Sequence, residues 1–162
     1  MIRFLVMDVD GTLTDGKIYM GQDVELFKAF DIKDGYGIKT ILPQAHIIPV
    51  VITARSSRIV ENRCRELDIT DLYQGVTDKL ETLLQVLRNY SLSDHTQYTL
   101  QHVAYVGDDI LDLQCMHPVK EAGGLVCCPN DAVEQVKQIA DYVAARKAGN
   151  GAVREIIDQM LV

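Results

Sequence analysis

The sequence has little of several features that would point to other classes of protein. It has no tryptophan and only four prolines, and no apolar run approaches the ~20 residues of a membrane-spanning helix. The first residues lack the apolar length and the cleavage site of a signal peptide. The net charge is −7, so the chain has no general attraction for nucleic acid or anionic membranes.

The cysteines form neither a disulfide pattern nor a zinc pattern. No two of them have CxxC spacing, and no histidine stands at a zinc-ligand interval from them. They are Cys64, Cys115, Cys127 and Cys128. We expect reduced, mostly buried thiols in a cytoplasmic protein.

What the sequence does have is a regular alternation of apolar and amphipathic segments. Its 162 residues fit one domain, residues 1–162, with a substantial core. Runs typical of buried strands lie at 2–7, 46–53, 71–73, 102–107, 124–128 and 141–143, and Pro49 suggests a late start for the second of them. Amphipathic segments lie at 34–44, 57–68, 78–90, 131–140 and 151–162, and the polar residues 91–101 are expected to form a loop. This alternation predicts an α/β fold with a doubly wound, Rossmann-like and mostly parallel sheet.

One segment, at about 15–31, breaks the alternation. Two short β-prone runs flank a turn at Gly21, which predicts a β-hairpin projecting from the first strand–helix connection. The hairpin carries Tyr19, Phe27 and Phe30, whose rings need a surface to pack against.

Two acids, Asp8 and Asp10, follow the first apolar run. Residues two apart on a strand point to the same side, so both carboxylates can converge on one ligand. A divalent cation would offset their repulsion, and Mg²⁺ is usually held by one or two carboxylates together with substrate phosphate. The alternative is a turn with solvated acids.

Polar residues also mark the ends or approaches of later strands. Thr53 could donate to a phosphate or cap a helix. Lys79 opposes the dipole of its helix, which suggests an anionic partner unless the lysine is simply solvated. After the run at 102–107 come Asp108 and Asp109, with Asp112 one helical turn further on. In a doubly wound sheet these positions share one edge, which predicts a single cavity for a metal ion and a phosphate.

The combination of DxDGT, a strand ending in Thr, a Lys and GDDxxD resembles the haloacid dehalogenase superfamily of phosphohydrolases. The resemblance implies that Asp8 is the nucleophile and that Asp10 is the general acid/base and a metal ligand through its backbone carbonyl. It also implies that Thr53 and Lys79 bind phosphate. Asp8 and Asp108 would hold Mg²⁺, while Asp109 would support a metal-bound water. No gap between the motifs is long enough for a cap domain.

The segments "DVDGTLTDGKIYMG", "KAFDIKDGYGIK" and "GAVRE" narrow the resemblance to the small tetrameric phosphatases of 3-deoxy-D-manno-octulosonate 8-phosphate, an enzyme family of lipopolysaccharide biosynthesis. That resemblance implies a small sugar-acid phosphate as substrate and a homotetramer built on the hairpins. A tail at about 147–162 would close a neighbour's site, although Ala148 and Gly149 stand where the family usually has two glycines. Arg55 suits a sugar carboxylate.

Three alternatives remain open. A related family acts on nine-carbon sugar-acid 9-phosphates, of sialic acid or KDN type, and shares every catalytic motif. A phosphoacceptor signalling domain would need a different order of acids along the chain. A non-catalytic domain of the same fold would need no intact motifs, whereas all are present here.

Overall fold

The computed structural model describes residues 1–162 and contains eight β-strands. They are β1 (Phe4–Met7), β2 (Tyr19–Met20), β3 (Glu25–Phe27), β4 (Ile48–Ile52), β5 (Asp71–Tyr73), β6 (Val103–Val106), β7 (Leu125–Cys128) and β8 (Tyr142–Val143). Six of them form one sheet in the order β5-β4-β1-β6-β7-β8, and all five pairings are parallel. The doubly wound α/β prediction is confirmed.

Seven α-helices accompany the strands. They are α1 (Ile32–Tyr36), α2 (Leu42–Gln44), α3 (Arg58–Glu66), α4 (Lys79–Ser93), α5 (Leu113–Glu121), α6 (Glu134–Ile139) and α7 (Ala152–Met160). A π-helical turn, Gly37–Ile41, joins α1 to α2, and 3-10 turns lie at Leu100–His102 and Ile110–Asp112. None of the helices has both the length and the apolar character needed to cross a bilayer.

The sheet is buried on both faces, which explains why its strands are apolar without alternation. All four residues of β1 are buried, as are all four of β6. Leu5 and Met7 belong to a core cluster with α3 and α7, whereas Phe4 and Val6 belong to a second cluster with α4 and α5. The chain leaves β1 toward β4 and later returns to β6 on its other side, so the topological switch point lies between β1 and β6.

The irregular segment after β1 forms the predicted hairpin. Strands β2 and β3 pair antiparallel, and the rings of Tyr19 and Phe27 stack with centroids 4.3 Å apart. Phe30 instead packs against the core and lies under the guanidinium of Arg63. Only this hairpin projects from the sheet, and there is no cap domain.

The structure also differs from the sequence-based boundaries in three places. Helix α4 runs on to Ser93, into a segment expected to be a loop, and α5 was not predicted as a separate helix. Pro49 lies inside β4 rather than before it. It is tolerated because β5 pairs with β4 only from Val50 onward, so one side of the strand has no neighbour at Pro49.

Candidate active site

The strands around the switch point place the acidic residues at one edge of the sheet. Asp8 follows β1 directly, and its backbone N–H donates to the carbonyl of Val106 at 3.1 Å. Asp108 follows β6 after Gly107. Because β1 and β6 are adjacent and parallel, these two carboxyls meet at the carboxyl ends of both strands.

The loop after β1 is shaped to fit against Asp108. Gly11 has φ +84°, and a Cβ at this position would overlap the Asp108 carboxylate. The buried Thr12 hydroxyl donates to Asp108 Oδ1 at 3.1 Å. The glycine and threonine of the DxDGT motif therefore allow and fix the close approach of the two acidic segments.

Lys79 is the first residue of α4 and reaches into the acidic cluster. Its Nζ lies 3.1 Å from Asp8 Oδ1 and 2.8 Å from Asp112 Oδ1, and its side chain is only 3% exposed. Burial opposes the charge of Lys79, but Asp8 and Asp112 outweigh burial and raise its pKa. The unfavourable helix position is offset by these anionic neighbours, so the alternative of a solvated lysine is excluded.

Asp112 is fully buried and accepts four hydrogen bonds. Oδ1 accepts from Lys79 Nζ at 2.8 Å and from the Tyr105 hydroxyl at 2.9 Å. Oδ2 accepts from the backbone N–H groups of Asp108 at 3.0 Å and Asp109 at 3.3 Å. These donors occupy both oxygens, so Asp112 orients its neighbours and has no free lone pair for another ligand.

The cluster of carboxyl groups fits a hard divalent cation. Oxygens of Asp8, Asp108 and Asp112 all lie within 4.8 Å of one another. Burial, followed by the charge of Asp112, raises the pKa of Asp8 to about 6 and that of Asp108 to about 7. Three clustered carboxyl groups face the single ammonium group of Lys79, so the negative charge of the cluster exceeds what Lys79 can offset when all three are ionised. Oxygen donors with excess negative charge suit Mg²⁺, and Asp8 and Asp108 are the two with free oxygens.

Asp10 lies apart from this cluster, at the mouth of the site. Its Oδ1 is 2.6 Å from Lys28 Nζ and 3.5 Å from Arg55 Nη1. Glu25 of β3 completes the group, 2.7 Å from Lys28 Nζ and 2.9 Å from Arg55 Nη2. The hairpin thus contributes two charged side chains to the site.

Two further predicted site residues, Thr53 and Asp109, lie at the same edge of the sheet but make no side-chain hydrogen bond to the acidic cluster. Thr53 is buried and follows β4 at the same edge of the sheet as Asp8, but no side-chain hydrogen bond ties it to the acids. The carboxylate of Asp109 caps the following 3-10 turn by accepting from the Ile110 N–H at 2.7 Å.

Four residues of the site had no role predicted from the sequence: Thr12, Glu25, Lys28 and Asp112. The last acid of GDDxxD was visible as a motif member, and Thr12 belongs to DxDGT. No pattern marked Lys28 or Glu25, since hairpin residues reach the site only through tertiary folding.

The Gly-rich tail packs on its own chain. Gly149 has φ +64°, and a Cβ there would overlap the backbone of Thr14 and Asp15. The N–H of Ala148 donates to Asp131 Oδ1 at 2.9 Å. Gly149 is therefore required at this position, whereas Ala148 is accommodated in a buried place.

These features together define the class of the protein. A parallel sheet with acids after β1 and β6, a buried lysine on the intervening helix and no cap domain is the architecture of a capless phosphatase of the haloacid dehalogenase superfamily.

Known proteins narrow this class to one family. No protein-family model matches the chain. The chain is 43% identical over 161 residues to the 3-deoxy-D-manno-octulosonate 8-phosphate phosphatase KdsC of Escherichia coli K12, covering 99% of this chain and 80% of the relative. The enzyme of the same description from Yersinia pestis has a crystal structure with TM-score 0.88 and 41% identity, covering 99% and 80% of the two chains. The Moraxella catarrhalis enzyme, in complex with magnesium, phosphate and KDO, gives TM-score 0.87 and 36% identity, covering 99% and 86%. The chain belongs to the 3-deoxy-D-manno-octulosonate 8-phosphate phosphatase family.

Proposed function

We propose that the protein hydrolyses 3-deoxy-D-manno-octulosonate 8-phosphate in a Mg²⁺-dependent reaction. The observation that carries this proposal is the position of Asp8, which touches Lys79 and lies beside Asp108 at the edge of the sheet. The relatives named above carry this substrate in their names, and one of them is described with magnesium, phosphate and KDO.

In the proposed first step, an Asp8 oxygen attacks phosphorus in line with the ester bond. The new Asp8–phosphorus bond forms as the bond to the sugar oxygen breaks, and Asp10 donates a proton to that leaving oxygen. Lys79 Nζ, held by Asp112, offsets the charge of the transferred group, and Thr53 would donate to one of its oxygens. Asp8, the Asp10 carbonyl and Asp108 would hold Mg²⁺, which would supply positive charge to offset that of the phosphate.

In the proposed second step, water attacks the phosphorus of the aspartyl-phosphate. Asp10 accepts the proton of this water, and the Asp8 carboxylate is released together with inorganic phosphate. The Asp109 carboxylate is exposed and could support a metal-bound water. Asp10 thus serves as acid and then as base, which returns it to its starting state.

We propose that Arg55 binds the carboxylate of the sugar acid. Its side chain is 44% exposed at the mouth of the site, and a guanidinium can bind a carboxylate through two hydrogen bonds. The same geometry could admit a nine-carbon sugar-acid 9-phosphate, so substrate length has to be measured.

We also propose that the chain forms one domain, residues 1–162, and assembles as a homotetramer through the hairpin. Large apolar side chains of the hairpin are 51–63% exposed: Ile18, Met20, Val24, Leu26 and Phe27. Burying such a surface against other subunits is favourable, and it would bring a neighbour over the open mouth of the site. Exposed Lys147 on the tail at about 147–162 could face that neighbour. Four buried free cysteines support a cytoplasmic location. A role in lipopolysaccharide biosynthesis rests instead on the substrate named for the relatives.

Phosphate release tests the proposed activity. The wild type with Mg²⁺ should turn over the eight-carbon 8-phosphate with a higher kcat/KM than nine-carbon 9-phosphates, and Asp8→Asn should be inactive. Asp68→Asn is the matched control, because Asp68 is exposed and has φ +58°, which asparagine tolerates. Full turnover by Asp8→Asn would contradict the nucleophile assignment, and a preference for nine carbons would reassign the substrate.

Assembly has its own test. A native mass of four chains is expected for the wild type, with dissociation and lower kcat/KM in a Val24→Asp, Leu26→Asp double variant. A monomeric wild type with full activity would contradict the shared site.

A further inference from the structure

Lys28 is a buried lysine whose ammonium group lies on the proposed acid/base. Its side chain is only 1% exposed, although it follows β3 of a projecting hairpin. Burying an ammonium group is costly unless it is paired, so its partners indicate why it is there. Those partners are Asp10 at 2.6 Å and Glu25 at 2.7 Å.

The two carboxylates are bound asymmetrically. Lys28 and Arg55 both approach Asp10 through Oδ1, at 2.6 and 3.5 Å, and no protein group is hydrogen-bonded to Asp10 Oδ2. Glu25 supplies a second negative charge to the two cations, through an ion pair with Lys28 at 2.7 Å and a hydrogen bond from Arg55 Nη2 at 2.9 Å. Lys28 therefore has Glu25 as a second partner if Asp10 turns toward a substrate. Oδ2 of Asp10 has no hydrogen bond within the protein and is free to bond to a substrate.

We propose that Lys28 is a positioning residue for proton transfer by Asp10. By binding Oδ1, the lysine fixes the orientation of the carboxyl group and leaves Oδ2 for the leaving oxygen of the substrate. The inference rests on the proposed function, in which Asp10 is the acid, and adds that a hairpin residue sets its geometry. A misplacement of a catalytic group by about 1 Å can cost on the order of 100-fold in rate, so a single ion pair can be decisive.

The test uses the dependence of rate on the leaving group. A p-nitrophenolate leaves readily without a proton, whereas a sugar alkoxide needs one. The value of kcat/KM reports the steps through departure of the leaving group, so it isolates the acid role of Asp10 from the later attack of water. We expect Lys28→Met to lower kcat/KM for the alkyl sugar-acid phosphate at least about 10-fold more than for p-nitrophenyl phosphate, within the range that general acid catalysis contributes. A purely structural defect would lower both values by the same factor.

Three variants complete the experiment. Asp10→Asn should show the same selective loss, Lys28→Arg should restore part of it, and Lys33→Met should show none, because Lys33 is 52% exposed and pairs with Asp31 outside the site. If Lys28→Met does not fold, as judged by circular dichroism, Lys28→Gln replaces it, with the same selective loss expected. Equal losses for the two substrates in the Lys28 variant, beside a selective loss in Asp10→Asn, would overturn the inference alone. Equal losses in Asp10→Asn would instead contradict the proposed acid role, and the inference with it.

Discussion

The substitution Asp112→Asn tests whether one buried carboxylate holds the catalytic lysine and the loop after β6 together. Each of its two oxygens accepts two hydrogen bonds. The four donors are Lys79, Tyr105, Asp108 and Asp109. An amide group can present an oxygen to only one pair of donors, so its NH₂ group would face the other pair. Lys79 keeps Asp8 as a partner, so the loss comes from the donors left facing the NH₂ group, at about 1.5–3 kcal/mol for a hydrogen bond to a charged group. We expect a loss of that order in the free energy of unfolding.

Urea denaturation of the metal-free protein measures this loss. Asp78→Asn is the matched control, because Asp78 caps α4 by accepting from the Glu81 N–H at 2.9 Å and asparagine caps a helix about as well as aspartate. The control should change the unfolding free energy by less than about 0.5 kcal/mol. A loss below about 1 kcal/mol in Asp112→Asn would refute the reasoning, since the four bonds would then contribute little.

Three further predictions follow from other parts of the structure. Burial raises the pKa of Asp34 to about 6, so this carboxyl favours folding most below pH 3.8 and loses that contribution as pH rises through 6. The unfolding free energy of Asp34→Asn minus that of the wild type should therefore rise by about 2.4 kcal/mol between pH 4 and 7, and a flat difference would contradict the shift. Gly149→Ala should lower the melting temperature more than Gly123→Ala, because both glycines have positive φ but only Gly149 lacks room for a Cβ; equal losses would argue against the tail contact. Chelation of divalent cations should abolish turnover and added Mg²⁺ should restore it, and turnover that survives chelation would refute metal dependence.

Much of the site could be predicted because it depends on strand ends. Apolar runs without alternation identify buried parallel strands, and the acids directly after β1 and β6 must then lie at the same edge of the sheet. An anionic partner for Lys79 was suggested by a charge that is unfavourable at a helix start, but a solvated lysine remained open and only the structure shows that the residue is buried. These inferences need only local sequence and the handedness of the connections.

Other parts could not be predicted, because they depend on tertiary contacts. Lys28 reaches Asp10 only through the path of the hairpin, whose strands are three residues long or shorter and carry no periodic signal. The carboxylate of Asp112 resembled the other acids of its motif, and its donors are Lys79, 33 residues away, and three groups of residues 105–109 whose orientation depends on how β6 ends. Pro49 suggested a late start for β4, but the position of β5 makes the proline harmless there.

The central claim is that Asp8 is the nucleophile, and trapping the covalent intermediate tests it most directly. Wild-type protein mixed with Mg²⁺ and substrate labelled with ³²P at its phosphate should be quenched in acid within one turnover, digested and mapped. The account predicts a hydroxylamine-sensitive label on Asp8 that forms and decays at rates consistent with turnover, and no label in Asp8→Asn. Turnover without any label on Asp8, together with continued phosphate release by Asp8→Asn, would contradict the account.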